Sequence, residues 1–123
     1  MNRFCSFLLG LLFGFFVDGD HMLEYLIYLY RSGIPFTFSG FFSSDYFRGN
    51  GMIIVLGHAW EWVVVLMGIY WWNKESKVVW PKYVLLAGLA LAGHLLVDQI
   101  TNHSSPLFYF LSYRLANGFS LNI

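Results

Sequence analysis

Apolar residues fill this chain in long blocks, and polar residues interrupt them at only a few places. A helix that crosses the hydrocarbon of a bilayer needs about 20 mostly apolar residues. Three blocks reach that length, 4–30, 51–72 and 81–102, and Pro81 suits the first turn of the third. A fourth block, 106–119 ("PLFYFLSYRLANGF"), is too short to cross and is expected to lie along the interface or pack against the other helices. The linker 32–50, rich in Gly, Ser and Phe, reads as an interfacial loop or lid, and 73–80 as a short turn. No stretch keeps the period-2 alternation of a half-buried strand. The pattern therefore predicts one all-α integral membrane domain over 1–123. It would be a bundle of three transmembrane helices plus a short C-terminal interfacial or packed helix.

Composition agrees. The chain is 58% hydrophobic and 11% charged, where a soluble domain carries about 25% charged residues. Mean hydropathy is +0.58, and aromatics at 21% suit interfacial belts. A formal net charge of zero without a basic patch argues for no nucleic acid partner and leaves membrane lipid as the expected one. Cys5 is the single cysteine, so no internal disulfide can form. The N-terminus has the look of a signal peptide but lacks a small-x-small site before Asp18, so it is expected to be retained. Arg3, Lys74, Lys77 and Lys82 fall on one side and Arg31, Arg48 and Arg114 on the other, which sets the N-terminus in the cytoplasm by a single charge.

The polar interruptions are the informative part. Asp18, Asp20, Glu24, Glu61 and Asp98 all fall within the apolar blocks, where each charge would cost about 2.5–3.5 kcal/mol. They must be paired, protonated, hydrated or bound to a cation. His21, His58 and His94 sit on three different blocks. Counted from one membrane face, each lies about seven to nine residues deep, within one helical turn of the others. At 100° per residue, Ala87, Ala90, His94, Asp98 and Thr101 share a stripe, as do Gly10, Gly14, Asp18 and His21, with Glu24 alongside. Gly57, Glu61 and Gly68 share a third, flanked by His58. Small residues permit close helix approach, so packing interface and polar site are expected to coincide.

"GHLLVDQ" (93–99) is a His and Asp four apart on one helix face, and "GHAWEW" (57–62) is a His and Glu three apart. "DGDH" (18–21) adds two carboxylates and an imidazole. Imidazole with carboxylate suits a divalent metal, zinc first, with manganese or iron as alternatives. The metal candidates are Asp18, Asp20, His21, His58, His94 and Asp98. Glu61 and Glu24 are the candidate catalytic bases. His103, in the turn "NHSSP", reads as a solvated residue, and Arg114 as an interfacial anchor.

The order D-x-D-H, then a His on the next helix, then G-H-L-L-x-D-x-x-T resembles the small bacterial inner-membrane proteins grouped as membrane-bound metal-dependent hydrolases. Their motif set is itself similar to that of zinc-dependent phospholipase C-like proteins. The resemblance implies location in a bacterial inner membrane and hydrolysis of a lipid-like ester or phosphodiester. It rests on 18–21, His58 and 93–101. The family carries a paired-His H-R-G-x-T-H segment where this chain has "LGHAWEW" with one His, so Glu61 would supply the missing group. Two other readings use the same residues: a haem held between His58 and His94, or a proton-relaying or structural helical bundle, such as an ion-conducting homo-oligomer.

Overall fold

In the computed structural model the described residues are 7–8, 10–11, 15, 17–43, 45–102 and 105–120. The expected first turn of the N-terminal helix, Gly14 of its small-residue stripe and His103 lie outside them. Phe7, Leu8, Gly10, Leu11, Phe15 and Val17 are helical, and a turn at Asp18 then separates them from helix α1, Gly19–Ser32. Gly33 ends α1 in the left-handed region (φ 68°), its N–H donating to the Leu29 carbonyl at 2.9 Å, an ending that glycine accepts without steric cost. The linker expected to be a loop holds two short helices, α2 (Phe38–Ser43) and α3 (Asp45–Asn50). They are pinned to α1 by Tyr25, which is buried, packs at a tilt against Phe36, Phe41 and Tyr46, and donates its hydroxyl to the Thr37 carbonyl at 3.0 Å.

Helix α4 (Trp60–Asn73) and helix α5 (Trp80–Thr101) form a hairpin. Gly88 allows its close packing, since a Cβ there would sit 2.7 Å from the Met67 methyl and 3.3 Å from Leu66 Cβ. A 3₁₀ turn (Pro106–Tyr109) and helix α6 (Leu111–Ala116) then fold back over the N-terminal end of α4. Leu91, Leu95 and Tyr109 form the core, with Val17, Trp60, Val63 and Leu66 packed on it. Among the described residues the only β pairing is an isolated bridge between Met52 and Ser120.

The all-α reading holds, but the three-span bundle does not. Among the described residues only α5 is long and apolar enough to cross a membrane. Its 22 residues rise about 33 Å at 1.5 Å per residue. The block 51–72 fails because its first part is not helical. Gly51 takes a positive φ (64°), and Ala59 is extended (φ −141°, ψ 132°) just before α4. That leaves α4 with 14 residues, about 21 Å, short of a roughly 30 Å hydrocarbon core. The first block is broken at Asp18, and 106–119 divides into a 3₁₀ turn and a six-residue helix. Val64, Val65, Trp71 and Trp72 on α4 and Leu89, Leu96, Val97 and Ile100 on α5 are exposed, so the hairpin keeps an apolar outer surface.

Candidate metal centre

His94 and Asp98 stand one turn apart on α5, and Asp18 and His21 flank the start of α1. His58 comes from the loop 51–59. Folding brings the other four around His58. His58 Nε2 is 3.1 Å from His21 Nε2 and 3.0 Å from His94 Nε2. Asp18 Oδ1 lies 3.5 Å from His58 Nε2 and 3.3 Å from His94 Nε2. Asp98 Oδ2 lies 3.5 Å and 3.3 Å from the same two nitrogens. Asp18 is next to the first residue of α1, yet its side chain makes no capping bond. It is turned to the imidazoles instead.

Donors held about 2.0–2.2 Å from a tetrahedral ion sit about 3.3–3.6 Å from one another, close to the 3.0–3.5 Å among Asp18, His58 and His94. The tautomers suit it as well. Asp20 Oδ2 lies 3.3 Å from His58 Nδ1 and accepts the Gly57 N–H at 2.7 Å. His58 therefore donates Nδ1–H to Asp20 and turns its Nε2 lone pair to the centre, the usual orientation for a metal-binding histidine. The Tyr46 hydroxyl lies 3.5 Å from His21 Nδ1 and offers the same service. Burial and the neighbouring His58 push the His21 imidazole down to about 4, so it is neutral at pH 7. Burial would raise Asp20. The hydrogen bond and charge of His58 and the Gly57 N–H outweigh it and hold the carboxyl below its ordinary value. Asp18, His58 and His94 form one group that could hold a metal ion, and Asp20, His21 and His58 a second that shares His58.

Of the six residues read from sequence as metal candidates, Asp18, His58 and His94 stand in the first group, Asp20 and His21 join His58 in the second, and Asp98 lies beside His58 and His94. The two candidate bases lie elsewhere. The Glu61 carboxylate accepts the Leu111 N–H at 3.0 Å, the Ser112 N–H at 2.9 Å and the Ser112 hydroxyl at 2.7 Å. It caps α6, and those bonds overcome its desolvation and hold it down at about 2. Glu24 is buried, accepts the Ile54 N–H at 2.9 Å, and is pushed up to about 7 by burial. Two contributors escaped the sequence reading. Tyr46 stood in a stretch read as loop. Arg114, read as an interfacial anchor, is 2% exposed. Its position as a lone cation in an apolar segment was the available signal, because such a charge is costly unless bound.

Searches against protein-family profiles, curated proteins and solved structures find no match to this chain. The site is therefore read from its geometry. It borders a cleft of about 980 Å³ whose wall is largely phenyl, including Phe15, Phe38, Phe41, Phe47 and Phe108, and whose polar lining includes Asp18, His21, His58 and Asp98. Arg48 and Asn102 add a cation and an amide to the lining. A smaller cavity of about 540 Å³ reaches Asp18 and His94 from the side of Phe7 and Leu11.

Proposed function

We propose that this protein is a membrane-attached, metal-dependent hydrolase acting on a lipid-like ester or phosphodiester, with zinc as the first candidate metal. One observation supports the reading above others. Three histidine nitrogens and two carboxylates converge at the lining of an apolar cleft large enough for a small amphiphile. His21, His58, His94 and Asp98 would hold the cation. A divalent cation there would supply Lewis acidity to the scissile bond and lower the pKa of water. Asp18, whose side chain is 51% exposed, would be the donor most free to exchange and would take the proton of the attacking water. The phenyl wall excludes bulk water and receives an acyl chain. The apolar outer surface of the α4–α5 hairpin, with α5 as the span, would sit in lipid, and the bacterial inner membrane is the location the motif resemblance favours.

The bis-histidine haem alternative fits less well. Axial nitrogens on opposite faces of a haem stand about 4 Å apart, taking about 2.0 Å per metal–nitrogen bond, and the ring needs a gap between them. Here the two nitrogens are 3.0 Å apart with carboxylates close by. Elemental analysis of the detergent-purified protein, beside a His94→Ala, Asp98→Ala double variant, tests the proposal. The expected result is about one equivalent of zinc, manganese or iron that the variant lacks, with metal-dependent cleavage of micellar nitrophenyl esters or phosphodiesters. Metal-free native protein would favour the proton-relay reading, and metal without turnover would remove the hydrolase assignment.

A further inference from the structure

His58 is the central ligand, within 3.5 Å of four other donor groups, yet the loop that carries it has no regular hydrogen bonding of its own. Five consecutive residues give a backbone group to a side chain from elsewhere. The Ile54 N–H goes to Glu24 at 2.9 Å and the Gly57 N–H to Asp20 at 2.7 Å. The Leu56 carbonyl receives Trp62 Nε1–H at 2.8 Å. The remaining two, the carbonyls of Val55 and His58, are both taken by Arg114, through Nη1 and through Nη2, the latter at 2.9 Å.

We propose that Arg114 is the positioning residue of the metal site, fixing His58 by clamping the carbonyls on either side of the Leu56–Gly57 turn. The claim rests on the metal-binding reading above. The planar guanidinium presents donors in a fixed fork, so two carbonyls three residues apart are held at one spacing, which a lysine ammonium cannot impose. Arg114 is itself held. Glu61 caps the first turn of α6, the Arg114 carbonyl accepts the Phe119 N–H at 2.7 Å, and the Phe119 carbonyl accepts the Ile53 N–H at 2.9 Å. The C-terminal arm thus closes on both ends of the loop, and its cation serves a ligand 56 residues earlier in the chain.

Cobalt(II) titration of the full chain in detergent tests this, read by affinity and by the visible absorption of the bound ion, with helical circular dichroism recorded alongside. Arg114→Ala is expected to weaken cobalt binding about 10–100-fold, the range for loss of an outer-shell partner, and to alter the spectrum. Added guanidinium should restore part of both. A folded Arg114→Ala chain with native affinity and spectrum overturns the proposal. If the alanine variant loses its helical signal, Arg114→Lys decides: native affinity and spectrum overturn the proposal, while weakened binding in a folded chain supports it. Native protein that fails to bind cobalt overturns the metal reading itself, a different outcome from a native chain that binds and a variant that binds equally well.

Discussion

His94 and His58 place their Nε2 atoms 3.0 Å apart, yet the chain delivers them by opposite means. His94 is on α5, where backbone hydrogen bonds between successive turns fix its direction and bring Asp98 alongside it four residues later. His58 is on an irregular loop whose carbonyls and amides are held by Glu24, Asp20, Trp62 and Arg114. A helix positions a ligand with its own backbone. A loop borrows side chains from the rest of the fold. Changes remote from the metal site should therefore disturb His58 far more than His94.

The largest effect expected on the loop side is at Asp20. This carboxylate accepts both the Gly57 N–H and His58 Nδ1–H, so Asp20→Ala removes the hold on the loop and the tautomer of the ligand together. Zinc or cobalt affinity should fall about 10–100-fold while the helix content stays native. A fall below threefold, measured by competition with a chromophoric chelator, would mean that the loop positions His58 unaided, and the contrast with α5 would collapse.

The same contrast explains what the sequence made legible. The pair His94 and Asp98 was readable because spacing on a helix is a geometric statement, and α5 appeared within one residue of its expected bounds. His21, His58 and His94 do meet, but the depth count along three spanning helices does not explain it, because His58 is on the loop 51–59 and α5 is the one helix of spanning length among the described residues. The non-helical course of 51–59 was not readable. Its residues are as apolar as a span, and what keeps them from helix is a set of tertiary bonds with partners up to 59 residues away. Glu61 illustrates the consequence. At three residues from His58 it was expected beside the metal, but the extended backbone at Ala59 starts a new helix and directs its carboxylate to α6. Asp18, expected among the metal donors, stands with His58 and His94 although it flanks the start of α1.

Glu61 offers a more moderate test. Its folded carboxyl, at about 2, lies below the unfolded value of about 4.3. Its contribution to stability is complete above that unfolded value and is lost as pH falls towards 2. Lowering the pH from 5 to 2.5 should thus loosen α6, seen as a lower protection factor, the exchange rate relative to the unprotected amide at the same pH, at Leu111 and Ser112. Glu61→Gln should show low protection already at pH 5 and change little on acidification. Because α6 carries Arg114, the variant should also weaken metal binding several-fold. Equal, slow exchange in both proteins at pH 5 would show that the carboxylate does not hold the arm down.

The smallest effect is expected at Trp62. Its indole N–H donates to the Leu56 carbonyl at 2.8 Å, but both residues are exposed, 44% and 50%. Water can replace a donor at such a place, so the bond contributes at the low end of about 0.5–1.5 kcal/mol. Trp62→Phe keeps an aromatic ring, smaller than the indole, and removes the donor. Metal affinity should change by less than threefold, and thermal stability should move little. Leu56 lies between the two carbonyls that Arg114 clamps and is followed by the amide that Asp20 accepts, so the loop stays bracketed without the indole. A tenfold loss of metal affinity in Trp62→Phe would mean that the brackets are weaker than the exposed bond, and that the burial of Arg114 is not what holds His58 in place.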